Sequence, residues 1–257
     1  MANTLFIGKV YHRFDELAST NDYARELLAK SKPPEGTVIR AASQSAGRGQ
    51  YGSRWLSTPG DNLLLSIILY PTWLSANEQF HLSEAVALAV LDVVRLQIGR
   101  RQGPPLPRAT VKWPNDIYLD DRKTAGILIQ NALSGHMLQS SIVGIGLNVN
   151  QREFPPEAPK ATSLSLTSGE PADLDALADT LFACVEQRYL QLKSGQTAAL
   201  RTEYLQNLYG LGEHRTFTRA DGSRFEGAIQ GVAEDGRLVI RTGAGEEFFG
   251  VKEVGFV

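Results

Sequence analysis

Apolar residues recur along the chain with two different periods, and the switch between them marks out its elements. Over residues 76–98, Leu82, Ala85, Val86, Ala89, Val90, Val93 and Leu96 follow helical spacing, with Leu88 and Leu91 widening the stripe. The pattern predicts a helix apolar nearly all round, placed at the centre of the fold. A second amphipathic helix is read over residues 173–192, where Leu174, Leu177, Ala178, Leu181, Phe182, Val185 and Tyr189 share one face. Short β-branched or continuous apolar runs at 37–42, 63–70, 109–113, 124–133 and 138–147 read as strands. Residues 22–30 read as a helix with Thr20 or Asn21 as its N-cap, and residues 5–14 as extended chain. Turns carrying Asp120-Asp121 and Ser134-Gly135 join the later strands in succession, which implies an antiparallel or mixed sheet.

Several stretches break these periods. Residues 43–60, rich in Gly, Ser and Gln, read as too polar and flexible for a regular element; they directly precede the buried strand at 63–70, where binding loops lie. Residues 99–107 and 154–159 are Pro-rich loops. After Gly210-Leu211-Gly212, short strands separated by Asp221-Gly222, Glu234-Asp235-Gly236 and Gly243-Ala244-Gly245 have the pattern of a small antiparallel barrel. A domain boundary is therefore placed there, giving a main domain over residues 1–211 and a terminal one over 212–257.

Composition narrows the function classes. A chain of 257 residues can bury a sizeable core without disulfides or metals. A formal net charge of -2 argues against a surface built to coat nucleic acid, while leaving room for a local basic pocket. The longest apolar runs are interrupted by Ser66 and Asp92 and fall short of the ~20 residues that cross a bilayer. With no basic-then-apolar leader at its start, the chain is expected to be cytoplasmic and without a membrane partner. Cys184 stands alone and the four histidines are scattered, so neither an internal disulfide nor a zinc site is expected.

Four segments carry candidate chemistry. Residues 47–55 combine three glycines with Arg48, Arg54 and Trp55, groups suited to a nucleotide phosphate and a flat ring; solvated arginines on a plain surface loop account for the composition equally well. No Gly-Lys-Ser/Thr follows, so this is not a P-loop. Lys112 alternates with Val111 and Trp113 and so lies on the opposite face of its strand, either aimed into a cleft or reaching water at a sheet edge. Gly144-Ile145-Gly146-Leu147-Asn148 reads, alone, as a packed strand end, and Ser19-Thr20-Asn21 as a helix cap.

Taken in order, these segments say more. Ser19-Thr20-Asn21, Gln44 with Gly47-Arg48-Gly49 through Trp55, Lys112-Trp113-Pro114-Asn115-Asp116, Lys123-Thr124-Ala125-Gly126-Ile127-Leu128 and Gly144-Ile145-Gly146-Leu147-Asn148 together resemble the biotin protein ligases. The resemblance implies an α+β fold: a mixed sheet flanked by helices, related to class II aminoacyl-tRNA synthetases and lipoate ligases, with a small SH3-like barrel at the C-terminus. It implies a reaction in which the biotin carboxylate attacks the α-phosphate of ATP to give biotinyl-5′-adenylate and pyrophosphate. A lysine of the biotin carboxyl carrier protein or domain of acetyl-CoA carboxylase, or of a related carboxylase, then takes the acyl group. Mg2+ is expected mainly through ATP, and homodimers are common in the family.

The same resemblance assigns residues. Arg48, Lys112, Lys123 and Asp116 are expected to be catalytic, with Lys112 on the biotin carboxyl group and later the adenylate phosphate. Ser19, Thr20, Asn21 and Gln44 are expected to meet the ureido ring, and the backbone of Arg48, Gly49 and Gln50 to close over it. Gly126, Gly144 and Gly146 complete the biotin site. Arg48, Arg54, Trp55, Lys112, Asn115 and Asn148 fall on the ATP side, with Asn115 and Asp116 as candidates to hold metal or orient Lys123. Two departures stand out. Many family members have arginine where this chain has Gln50, often with another in place of Tyr51; and Ser19 already belongs to the biotin site, so a monofunctional ligase without an N-terminal operator-binding domain is expected. The rival readings are a lipoate or octanoate ligase on the related scaffold, which the arginine-glycine loop and Lys112–Asp116 disfavour, and a biotin sensor without catalysis, which the retained cations disfavour.

Overall fold

The computed structural model describes residues 3–99 and 106–257. Its centre is a seven-stranded mixed sheet built from β1 (Tyr11–Leu17), β2 (Val38–Gln44), β3 (Leu63–Leu69), β4 (Ala109–Lys112), β5 (Asp116–Leu119), β6 (Arg122–Ser134) and β7 (Met137–Leu147). The order is β1-β2-β3-β7-β6-β5-β4, with β1 and β2 parallel and every other pair antiparallel. The parallel pair is the one joined through a helix, α1 (Thr20–Lys30), while the later strands follow one another by turns.

Alternation along the strands divides the two faces. On β3, Leu63, Leu65, Ile67 and Leu69 enter the main core, whereas Ile68 joins Ala24, Ile39 and Ile142 in a smaller cluster under α1. The main core is capped by α2 (Phe80–Ile98), which packs against α4 (Leu174–Lys193) and α5 (Thr197–Gln206) as well as the sheet. Twelve residues of α2 are buried, among them the charged Glu84. Such burial is stable because Glu84 meets Arg201 at 2.9 Å and His81 at 2.7 Å. No helix among the described residues is long and apolar enough to cross a membrane.

The terminal strands β8 (His214–Arg219), β9 (Arg224–Val232), β10 (Leu238–Thr242), β11 (Gly245–Phe249) and β12 (Val254–Phe256) form a separate antiparallel sheet, ordered β11-β10-β9-β8-β12. It stands where the small barrel was expected, and its ladder has β11 and β12 as its two ends. The sheet docks on the main body through Trp113 Nε1, which donates to Gly236 O at 2.8 Å, and through Phe80, which packs on Gly236.

Local differences from the sequence reading have identifiable causes. The extended stretch expected over residues 5–14 pairs as a strand only from residue 11, and that strand runs on to residue 17; the preceding turn is held by Glu186, which accepts from the backbone N–H of Leu5, Phe6 and Ile7 at 2.6–3.0 Å. Ser19 caps α1, accepting from the Asp22 N–H, so Thr20 and Asn21 lie inside the first turn and are buried. β5, α3 (Leu164–Ser168) and α5 leave no pattern in the sequence, because four- and five-residue elements carry no measurable period and α5 has only Leu200 and Tyr204 buried. Residues 43–60 are not structureless. Arg48 bridges Arg54, Gly49 N donates to Ser53 O at 2.7 Å and Trp55 N to Gly47 O at 3.0 Å, making a small hairpin whose tip, Tyr51 and Gly52, has φ of 51° and 81°. The loop expected at 99–107 falls largely outside the described residues.

Candidate active site

The parity that fills the core on one face empties the other. On β7, Val143, Ile145 and Leu147 enter the main core, so Gly144 and Gly146 lie on the α1 face. On β6, Ala125, Ile127 and Ile129 do the same, which leaves Gly126 directly opposite Gly146, and Leu128 opposite Gly144. Three glycines on one face of central strands make a floor without side chains, and above it lies a cavity of about 190 Å³.

One end of this cavity is a hydrogen-bonding cluster. Thr20 N donates to Gln44 Oε1 at 2.7 Å, and Asn21 Nδ2 donates to Leu128 O at 3.3 Å and Gln130 Oε1 at 3.1 Å. Ser66 Oγ lies 2.6 Å from Asn21 Oδ1, which can only accept, and 2.8 Å from Thr20 Oγ1. A Ser66 hydroxyl that donates to Asn21 therefore accepts from Thr20. Ser19, Thr20, Asn21 and Gln44 all line the cavity, as the sequence led us to expect. Nothing in the sequence marks Gln130 as part of this cluster, whereas Ser66 carries a signal as the one polar residue in the run 63–70.

The other end carries charge. Lys123 Nζ stands 2.6 Å from Asp116 Oδ1 and 5.5 Å from the centre of the Trp55 ring. Trp55 lies on the glycine floor: a Cβ at Gly146 would come within 2.5 Å of its indole, and one at Gly126 within 2.8 Å. Its Nε1 is buried and has no partner among the described residues, a donor open to a ligand acceptor. Arg48 Nε pairs with Asp22 Oδ2 at 2.8 Å, and Arg54 donates to Ser45 O at 3.2 Å. Arg48, Gly49, Gln50, Arg54 and Asn115 also line the cavity, the Asn115 amide donating to Ile127 O at 2.6 Å.

Two expected residues stand elsewhere. Lys112 does not line this cavity; its ammonium donates to the Tyr118 hydroxyl at 3.1 Å and lies over the rings of Tyr118 and Phe256. Burial holds its pKa below the usual lysine value, against the opposing pull of Asp116. The face assigned to Lys112 was right, since it pairs with Asp116, but β4 is the outermost strand, two strands from β6. Lys123 reaches the cavity through a register shift between β5 and β6: Ile117 pairs with Ala125 and Tyr118 with Lys123, leaving Thr124 as the extra residue. Without that bulge Lys123 would face the core alongside Ala125. Asn148 also stands away from the cavity, donating from Nδ2 to Thr162 O at 3.0 Å, while its buried Oδ1 has no partner among the described residues.

The chain is similar to known proteins. The model of the biotin/lipoate A/B protein ligase family matches residues 14–148, more than half of the chain and the whole of the cavity floor. The chain belongs to this family. It is 32% identical over 239 residues to the bifunctional ligase/repressor BirA of Bacillus subtilis (strain 168), covering 92% of this chain and 70% of that protein. It is 30% identical over 245 residues to the biotin--[acetyl-CoA-carboxylase] ligase of Paracoccus denitrificans, covering 93% and 99%. Among solved structures, the biotin protein ligase from Aquifex aeolicus in complex with biotin and ATP superposes with a TM-score of 0.77 at 26% identity, over 97% of this chain and 99% of that one.

Proposed function

We propose that the protein is an ATP-dependent biotin protein ligase, which joins biotin to ATP as biotinyl-5′-adenylate and passes the biotinyl group to a lysine of a carboxyl carrier protein. The observation that carries this reading is one cavity with a hydrogen-bonding end at Thr20, Asn21 and Gln44 and a cationic end at Lys123, Arg48 and Arg54, joined by a floor of glycine. Like names among the relatives support it: the Paracoccus protein is a biotin--[acetyl-CoA-carboxylase] ligase, and the Aquifex ligase was solved with biotin and ATP.

A ureido ring has two N–H donors and one carbonyl acceptor, and buried in an apolar slot it needs a partner for each. Asn21 Oδ1 and the Thr20 hydroxyl oxygen accept; Gln44 Nε2 donates, its Oε1 already being held by Thr20 N. The carboxylate at the far end of biotin comes under Lys123. Attack of this carboxylate on the α-phosphate brings like charges together, and Lys123, Arg48 and Arg54 offset the repulsion and the charge that develops at phosphorus. Asp116 keeps the Lys123 ammonium in place from 2.6 Å. Trp55 offers its face to adenine and Nε1 to an acceptor. The hairpin over residues 47–55 excludes water from the mixed anhydride until the carrier lysine attacks its acyl carbon and AMP leaves.

Among the described residues no cluster of three or more His, Cys, Asp or Glu side chains could hold a metal ion. The donor set at the cavity, the Asp116 carboxylate beside the Asn115 amide, fits a Mg2+ that arrives on the ATP phosphates and keeps most of its waters. Bound there, Mg2+ would neutralise phosphate charge.

The test is intact-mass spectrometry of an isolated biotin carboxyl carrier domain after incubation with the protein, Mg-ATP and equal concentrations of biotin, lipoate and octanoate. A single biotinyl adduct that requires ATP is the expected result. A lipoyl or octanoyl adduct would overturn the substrate, and tight biotin binding with no adduct would replace the ligase by a sensor.

A further inference from the structure

The hairpin that covers the cavity is tied down from outside it. Lys252, in the turn between β11 and β12, donates from Nζ to the backbone carbonyl of Tyr51 at 2.8 Å and stands 5.3 Å from the centre of the Tyr51 ring. Both partners lie at φ values that residues other than glycine seldom adopt, 70° for Lys252 and 51° for Tyr51. The turn that presents Lys252 is closed on itself, since Gly250 N donates to Glu253 Oε2 at 2.6 Å and Glu253 N to Gly250 O at 3.1 Å. Next to Lys252, Val251 shares with Gln50, Pro114, Asn115 and Gly236 the wall of a second small cavity of about 220 Å³. The terminal sheet itself is fixed to the main body by the Trp113 bond to Gly236 and by Phe256 under the Lys112 ammonium. Lys252 is thus a fixed post, and the strand of hairpin it grips is the segment Gln50–Gly52 beside the cavity.

We infer that Lys252 is a positioning residue of the ligase reaction: from the terminal sheet it holds the hairpin over the cavity, and so sets how long the acyl-adenylate is retained. The physical reason is conformational entropy. Gly47, Gly49 and Gly52 make residues 47–53 expensive to order, and internal hairpin bonds fix its shape without fixing its place. Arg48 ties one end to α1 through Asp22, and Lys252 ties the tip to the terminal sheet. Because the acceptor is a backbone carbonyl, any residue at position 51 would supply it, whereas the donor must be a long cation at position 252. This role gives the terminal sheet a part in the reaction without touching either substrate. It deepens the ligase reading above and rests on it.

The experiment compares wild type, Lys252→Met and Lys252→Arg in the full chain. With biotin and ATP labelled at the α-phosphate, the rate of adenylate formation and the rate of its release into solution are measured separately. Lys252→Met is expected to release adenylate about five- to tenfold faster, as loss of one charge-assisted hydrogen bond at an exposed site implies. Its rate of formation and its biotin affinity should stay within about twofold of wild type, and Lys252→Arg should restore retention, as a merely structural role would not require. Hydrogen exchange over residues 47–53 without any ligand separates this inference from the ligase reading: faster exchange in Lys252→Met supports the tie even if no adenylate forms. Equal exchange in the two proteins, or equal adenylate release with normal formation, overturns it.

Discussion

Replacing Gly144 by alanine tests the hydrogen-bonding end of the cavity. A Cβ at this position would stand 2.2 Å from Asn21 Oδ1 and 2.9 Å from its Cγ. Contacts become ordinary at 3.4 Å, so Asn21 must retreat from 2.2 to at least 3.4 Å, about 1.2 Å. β7 cannot yield instead, because it is paired on both sides, to β3 and β6, along most of its length. Such a retreat breaks the 2.6 Å contact with Ser66 and shifts Asn21 Nδ2 off Leu128 O and Gln130 Oε1. Leaving buried polar groups unpaired costs roughly 1–3 kcal/mol of stability. If Asn21 also serves the ureido ring, a similar loss of about 3 kcal/mol in binding corresponds to roughly 100-fold weaker biotin affinity. The assay is titration calorimetry with biotin and, separately, with ATP, alongside urea denaturation of each protein. Biotin affinity should collapse while ATP binding without biotin changes by no more than about threefold, since Lys123, Arg48 and Arg54 are untouched. A folded Gly144→Ala protein that binds biotin within threefold of wild type would refute the placement of the ring at Asn21.

Other substitutions separate the remaining parts of the site. Gly146→Ala should lift Trp55 off its floor and raise the KM for ATP by roughly 5- to 100-fold, the worth of one aromatic stack, with biotin affinity affected less; steady-state kinetics checks it. Lys123→Met should slow adenylate formation about 100-fold or more, measured as pyrophosphate release, because its ammonium lines the cavity. Lys112 makes a pH prediction. Its folded pKa lies below the 10.5 of the unfolded chain, so between these values the unfolded state binds more protons and stability rises with pH. In urea denaturation, the stability of wild type relative to Lys112→Met should therefore rise with pH over the alkaline range, the tyrosines held above their ordinary value by burial contributing equally to both proteins. Glu186→Gln, far from the cavity, should cost about 2–3 kcal/mol of stability by weakening three N–H bonds at the N-terminal turn, with kinetics unchanged.

What the sequence determined by itself is whatever a local period or an ordered set of motifs can carry. The all-round apolar α2, the strands at 63–70 and 138–147 and the family were legible because each depends on neighbours a few residues apart or on motif order. The tertiary structure decided which lysine reaches the cavity. Alternation puts Lys112 on the correct face, but only strand order shows that β4 is at the sheet edge and that Phe256, from the far end of the chain, covers its ammonium. The same alternation puts Lys123 on the wrong face, and one extra residue in β6, Thr124, turns it to the right one. Ser66 could be seen as an interruption but not as a partner of Thr20 and Asn21, since its partners lie 46 and 45 residues away on a helix over the opposite face from the core. Periodicity fixes the face on which a side chain points. Register, strand order and contacts distant in sequence fix what it meets there, because they are set by the packing of whole elements against one another.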